Sequence, residues 1–284
     1  MVIKKILIPT ELDELSTIVT GFAVDLAEQM NISEIVLLNL IIPAPSHAFL
    51  ASQNAFAPNV NMDERFNAVL LENHQKLAGE EAERFTNEKV EIKPFVRFNE
   101  SRTNLNKYMQ EFEADLVVCG SRDEHSFLQI LFGSDTEKMV RKVDYPMIIL
   151  QDKRDTAEIK SILVAIDINE ENQNNLSEII SFAGSVNARM QLLHVITDDS
   201  QSSDQAIKKL RKIAIENMVE NYDINVVSNN NLEDGIRSFA RKYNPDMIAV
   251  LSQGKGKIHK LIFGSSTEEI IRETDRPVFV SRIS

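Results

Sequence analysis

Apolar and polar positions fall into blocks along this chain, and the blocks have two periods. The short apolar runs Ile6–Pro9, Ile35–Leu40, Leu116–Cys119 and Met147–Leu150 predict strands covered on both faces. Val90–Arg97 alternates with period two, as a half-exposed strand does. Between the first two runs, Ile18, Val19, Phe22, Ala23, Leu26, Ala27 and Met30 recur at helical spacing. Asp63–Asn87, Asn104–Phe112 and Ser134–Val143 read as further helices. The order is βαβαβαβαβ, which predicts a parallel, doubly wound sheet with right-handed crossovers. Such a sheet takes ligands beyond the carboxyl ends of its strands, at the point where strand order reverses.

The same pattern then occurs again. Asp115 and Asp246 open two segments that align without a gap through Pro146 and Pro277, at an offset of 131. Within them both copies read F-G-S-x-T-E-x-x-x-R-x-x-D-x-P, from Phe132 to Pro146 and from Phe263 to Pro277. Earlier in each half, Ile6-Leu7-Ile8-Pro9-Thr10-Glu11 answers Ile162-Leu163-Val164-Ala165-Ile166-Asp167, and Leu37-Leu38-Asn39 answers Leu192-Leu193-His194. The first half carries about 24 extra residues, assigned to Pro43–Glu64, which is rich in Ala, Asn, Pro and Ser. That stretch is either a surface excursion or a lid or dimer contact. The polar segment Gln151–Lys160 separates the copies, giving expected domains of residues 1–152 and 158–284. A length of 284 residues, roughly twice the commonest domain size, agrees.

Composition narrows the function classes. At 43% hydrophobic and 26% charged residues, the chain has an ordinary globular composition. The net charge of −12 argues against nucleic acid or an anionic membrane as a partner. It divides unevenly. Residues 1–152 hold 14 basic against 24 acidic side chains, a balance of −10, and residues 153–284 hold 17 against 19, a balance of −2. One cysteine, Cys119, excludes an internal disulfide or a cysteine zinc cluster and suits a reducing cytoplasm. The longest apolar stretch, Ile35–Ala44, is broken by Asn39 and Pro43 and falls short of the ~20 residues of a spanning helix. The N-terminal apolar run is too short for a signal peptide and reads as a first strand.

Candidate chemistry gathers at the strand ends. Leu116–Cys119 runs into Gly120-Ser121-Arg122-Asp123, and after nine further residues Gly133-Ser134 opens a helix. The second copy reads Leu251-Ser252-Gln253-Gly254, nine residues, then Gly264-Ser265-Ser266. Glycine at a strand end lets the backbone approach a ligand, and Gly-Ser at a helix start offers free N–H groups and the positive end of the dipole. The same residues also serve as a plain turn and helix cap. None of His47, His74, His125, His194 and His259 sits at metal-ligand spacing, and His194 reads as a core or ligand-side residue. No G-x-S-x-G elbow and no G-x-x-x-x-G-K-S/T loop is present, so an enzyme is not expected.

Taken in order, strand–P-T-E or strand–A-I-D, then L-L-N or L-L-H, then G-x2-G-x9-G-S and a closing strand led by Pro resemble the universal stress protein family. The resemblance covers both halves apart from the linker and Pro43–Glu64. It implies two Rossmann-like five-stranded domains about a pseudo-twofold axis, joined through their last strands as a covalent dimer, with a further homodimer open. It also implies that some members bind ATP with a divalent metal such as Mg, while others bind no nucleotide and act through protein contacts. Carried over, the second half supplies Ala165, Ile166, Asp167 and Val195 for the nucleoside. Gly254, Gly264, Ser265 and Ser266 would take its phosphates. The first-half equivalents are Glu11, Gly120, Gly133 and Ser134.

Departures from the pattern favour the second half. Asp123 and Glu124 put carboxylates where phosphate would lie. At an effective dielectric of about 20, two like charges ~5 Å apart repel by about 3 kcal/mol, roughly two decades of affinity. Glu11 is one methylene longer than the expected Asp. Leu251 stands where the second half should have its first Gly, and costs about 1–2 kcal/mol if a left-handed backbone is needed there. Lys255, Lys257 and Lys260 surround the second loop and favour anions. The expectation is a stress-response sensor or regulator with at most one adenine-nucleotide site, in the second half. Slow nucleotide hydrolysis ranks last, because no general base is evident.

Overall fold

A computed structural model describes residues 2–41, 60–98, 105–120, 143–151, 158–168, 176–198, 202–253 and 274–283. The first half runs β1 (Ile6–Thr10), α1 (Glu14–Met30), β2 (Glu34–Ile41), α2 (Val60–Phe85), β3 (Glu91–Phe98), α3 (Leu105–Glu111), β4 (Leu116–Gly120) and β5 (Met147–Leu150). The second runs β6 (Ser161–Ala165), α4 (Ser177–Ser185), β7 (Arg189–Ile196), α5 (Ser203–Glu216), β8 (Tyr222–Ser228), α6 (Leu232–Tyr243), β9 (Met247–Gln253) and β10 (Val278–Ile283). The helix expected over Ser134–Val143 lies outside the described residues, except for its last residue.

Among the described residues, ten strands form one sheet in the order β3-β2-β1-β4-β5-β10-β9-β6-β7-β8. Each half is therefore a doubly wound unit, and the two have the same strand order read from opposite edges. Every pairing is parallel except β5 with β10, which is antiparallel. At that seam Ile148 faces Phe279, flanked by Met147 opposite Val280 and Ile149 opposite Val278. Ile148 and Phe279 are separated by the repeat offset of 131, so each residue on the seam's centre meets its own counterpart. The pseudo-twofold axis passes between them.

The apolar runs become strands because they are sealed on both faces. Ile6, Leu7, Ile8, Ile35, Leu37, Leu38, Leu116 and Val117 are wholly buried. The outer strand β3 alternates instead, and it tolerates Pro94 because an edge strand needs no partner for the missing N–H. The apolar cluster on each face of the sheet draws residues from both halves. One face contains a stacked pair, Phe182 on α4 and Phe279 on β10, with ring centroids 4.5 Å apart.

The repeat's leading aspartates play the same structural part in both halves. Asp115 Oδ2 accepts from the backbone N–H groups of Lys4 and Lys5, at 2.8 and 3.2 Å. Asp246 Oδ2 accepts from those of Lys160 and Ser161, at 3.1 and 2.9 Å. Each aspartate thus ties the start of the fourth strand to the start of the first. A second link joins the halves. Gln29, at the end of α1, donates to the carbonyls of Ile159 (2.9 Å) and Val186 (2.8 Å) and accepts from Ile159 N–H (3.0 Å).

The expected excursion Pro43–Glu64 overlaps the start of a helix. Residues 60–64 belong to α2, and residues 42–59 lie outside the described part. Helix α2 has 26 residues and its counterpart α5 has 14, and the two end at the same distance before the next strand. The difference is therefore extra turns at the start of α2. There Leu70 and Leu71, like Leu12 and Phe98, pack against the cluster of Ile41, Ala78 and Val96 near the carboxyl ends of the first three strands.

Candidate functional site

In both halves the first strand leaves the sheet early. The β6–β9 ladder ends at Val164 opposite Ala249, and the β6–β7 ladder ends at Ala165 opposite Leu193. Strand β7 continues beside β8 to Ile196, and β9 continues beside β10 to Gln253. In doubly wound sheets this switch point is where a ligand crevice forms, and Ala165, Ile166 and Asp167 form the exit from β6. In the first half, β1 parts from β4 after Leu7–Val117 and from β2 after Thr10–Asn39.

The described candidates of the second half do come together around this exit. Ala165 and Asp167 are half-buried, whereas the Ile166 side chain points into the core. Ile166 N–H donates to the Leu193 carbonyl at 2.8 Å. His194 is buried, and its Nδ1 lies 3.0 Å from the Ile166 carbonyl oxygen, which can only accept. This imidazole therefore anchors the turn into Asp167. Val195 is also buried, and helix α6 lies close over it: a Cβ on Gly235 would come within 2.6 Å of Val195 Cγ1. Its side chain belongs to packing, so only its backbone faces a ligand role. Gly254, Gly264, Ser265 and Ser266 lie outside the described residues, as do Gly133, Ser134, Asp123 and the three lysines.

The first half repeats this frame with different chemistry. Asn39, the counterpart of His194, donates from Nδ2 to the Thr10 carbonyl at 2.9 Å. Its Oδ1 must then accept, which makes Nδ1 of His74, 2.8 Å away, the donor. His74 comes from α2, 35 positions later, and no spacing in the sequence announces the contact. Glu11, the counterpart of Asp167, is half-buried, and its Oε1 is shielded without a hydrogen-bond partner. Burial, reinforced by the nearby Asp13 carboxylate, pushes the Glu11 pKa up from 4.5 to about 7. The turn that follows is held tightly. Leu12 sits at φ 61, Thr10 Oγ1 accepts from its N–H, and Ser16 Oγ accepts from Glu11 N–H.

Gly120 and its counterpart Leu251 show how the halves differ in packing. A Cβ on Gly120 would lie 2.5 Å from Leu15 Cδ2, so this glycine makes room for the first turn of α1. Helix α4 is described only from Ser177, and Leu251 puts its own buried side chain into the same apolar cluster. Cys119 is fully buried, with its thiol pushed up to about 12 by desolvation, and is chemically inert there. Among the described residues no group of three or more His, Cys, Asp or Glu could hold a metal ion. No helix among them is long and apolar enough to cross a membrane.

The strand order defines a tandem of two doubly wound α/β units. The chain belongs to the Universal stress protein family, whose model matches residues 3–151 and again 158–282. It is 25% identical over 173 residues to Universal stress protein Slr1230 of Synechocystis sp., a match covering 59% of this chain and 58% of that protein's length. It is 30% identical over 115 residues to Universal stress protein G of Shigella flexneri, covering 40% of this chain and 78% of the relative. Its fold is similar to that of a universal stress protein from Archaeoglobus fulgidus, with a TM-score of 0.63 and 22% identity, over 98% of this chain and 96% of the other.

Proposed function

We propose that this chain is a stress-response regulator that binds one adenine nucleotide, ATP or a relative, in its second half. The observation that carries the reading is Asp167, half-exposed at the mouth of the switch-point crevice and held there through the His194–Ile166 contact. A carboxylate so placed accepts from the two vicinal hydroxyls of a ribose, while the backbone near Ala165 and Val195 borders the base. Gly254, Gly264, Ser265 and Ser266 would hold the phosphates, with Mg bound chiefly by the phosphates themselves. The bound nucleotide would supply a signal of cellular energy state, and no catalytic step is assigned.

The first half is proposed not to bind. Glu11 is shielded, shares its turn with Asp13 and resists ionisation, so it is a poor acceptor for ribose at neutral pH. Calorimetry with Mg-ATP tests both statements. One site per chain is expected, weakened at least about tenfold by Asp167→Ala, the loss of one charge-assisted contact, and unchanged by Glu11→Gln. Two sites, or equal loss from the two substitutions, overturns the assignment. If purified chain neither releases nucleotide in mass spectrometry nor binds added ATP, the second reading stands: a family member acting through protein contacts alone. Leu251, which replaces the expected glycine, is the observation that favours that reading.

A further inference from the structure

Helices α2 and α5 occupy equivalent places on one face of the sheet, yet their outward surfaces have opposite character. On α2, Phe66, Val69 and Leu77 recur on one stripe and are 55%, 57% and 48% exposed. A soluble helix normally turns such residues inward, and isolated exposure needs no explanation, but a stripe does. The exposed Glu72, Glu80 and Glu83 border it, and residues 60–85 as a whole carry six acidic against three basic side chains. On α5, Lys208, Arg211 and Lys212 are exposed with Ile215, itself 67% exposed, at i, i+3, i+4 and i+7. Residues 203–216 carry four basic against two acidic side chains, in a chain whose overall charge is −12.

The charge already present within each helix does not satisfy these groups. Lys76 reaches Glu80 only at 3.8 Å and Lys212 reaches Glu216 at 3.6 Å, both in open solvent. Exposed i,i+4 pairs of this kind contribute little. We infer that a second copy of this chain covers both surfaces, α2 of one copy docking on α5 of the other. The contact is reciprocal: α2 meets the partner's α5 while α5 meets the partner's α2, which closes a two-fold pair. Phe66, Val69, Leu77 and Ile215 supply the apolar burial, and the opposed charges set orientation and partner choice.

A charge swap tests the inference by sedimentation velocity on the full chain. Wild type associates to twice its 32.2 kDa mass in the micromolar range and dissociates as salt is raised. The variant Lys208→Glu with Lys212→Glu, and separately Glu80→Lys with Glu83→Lys, each weakens self-association at least about tenfold, because like charges then meet at both contacts. An equal mixture of the two variants re-associates, since every contact in the mixed pair again joins opposite charges. Thermal midpoints of the variants, which touch only exposed side chains, check that they are folded. The inference is overturned by a wild type that sediments as a single chain throughout. It is equally overturned if the mixture fails to re-associate, or if the chain stays single while Lys208 and Lys212 bind anionic phospholipid vesicles.

Discussion

The two halves of this molecule have the same strand order and diverge where the strands end. Half one places at its first strand's exit Glu11, half-buried with one oxygen shielded and reluctant to ionise, and its long α2 adds turns whose Leu70 and Leu71 pack against the same small cluster as Leu12 and Phe98. Half two leaves Asp167 half-exposed and starts its matching helix later. The polar anchor persists but changes hands: Asn39, itself held by His74, bonds the Thr10 carbonyl in one half, and His194 bonds the equivalent Ile166 carbonyl in the other. A scaffold fixed by buried strands thus allows its ligand-facing edge to change residue by residue. The side chains that hold the frame, Asp115 and Asp246, have not changed at all.

The comparison can be broken most forcefully at the seam. Phe279→Ala removes a wholly buried ring that stacks on Phe182, and should cost about 3–5 kcal/mol. Because both core clusters span the halves, calorimetric scanning should show both halves losing stability together. Two separate transitions, only one of them shifted, would refute a shared core. Next in size is Gly120→Ala, where the added methyl meets Leu15 at 2.5 Å and should cost about 1–3 kcal/mol. Urea unfolding measures it, and an unchanged midpoint would mean that α1 shifts freely.

Gln29→Ala is expected to cost about 1–2 kcal/mol, since it removes three hydrogen bonds and leaves backbone groups of Ile159 and Val186 to find water. Faster amide exchange near Ile159 should accompany it. The smallest effect concerns pH. The folded state holds the Glu11 proton up to about pH 7, whereas the unfolded chain releases it near 4.5. The folded state therefore binds more protons across that window, and stability falls as pH rises through it. Glu11→Gln should remove this fall, gaining about 1 kcal/mol above pH 7 once solvent screening of a half-exposed group is allowed for. Thermal midpoints of the two proteins at pH 5 and pH 8 test it, and parallel curves would show that Glu11 does not titrate in this range.

Much of the architecture was legible because strands sealed on both faces leave continuous apolar runs. Ile6–Pro9, Ile35–Leu40 and Leu116–Cys119 could hardly be read otherwise. The repeat was equally plain, since Asp115 and Asp246 sit at fixed distances from their strands for a structural reason. The start of α2 was read three residues late, at Asp63 rather than Val60. Its first turns follow a Pro- and Ala-rich stretch and direct Phe66 and Val69 outward, which blurs the helical period. The candidate site was legible as positions and not as environments. That one Glu11 oxygen is shielded without a partner depends on packing that no local pattern shows, and the His74 and Gln29 contacts join residues far apart in sequence. The reading of Gly120 as a place for ligand approach also needed the structure, which puts Leu15 there.

The seam between β5 and β10 has one more consequence. When two separate copies pair through their last strands, the residue on the symmetry axis must face itself, so any substitution there is made twice at once. Covalent linkage lifts that constraint and fixes the partner at high effective concentration. Ile148 can then face Phe279, a small side chain set against a large one. Either half expressed alone would expose that strand as a bare sheet edge, inviting pairing with any chain that offers a matching one.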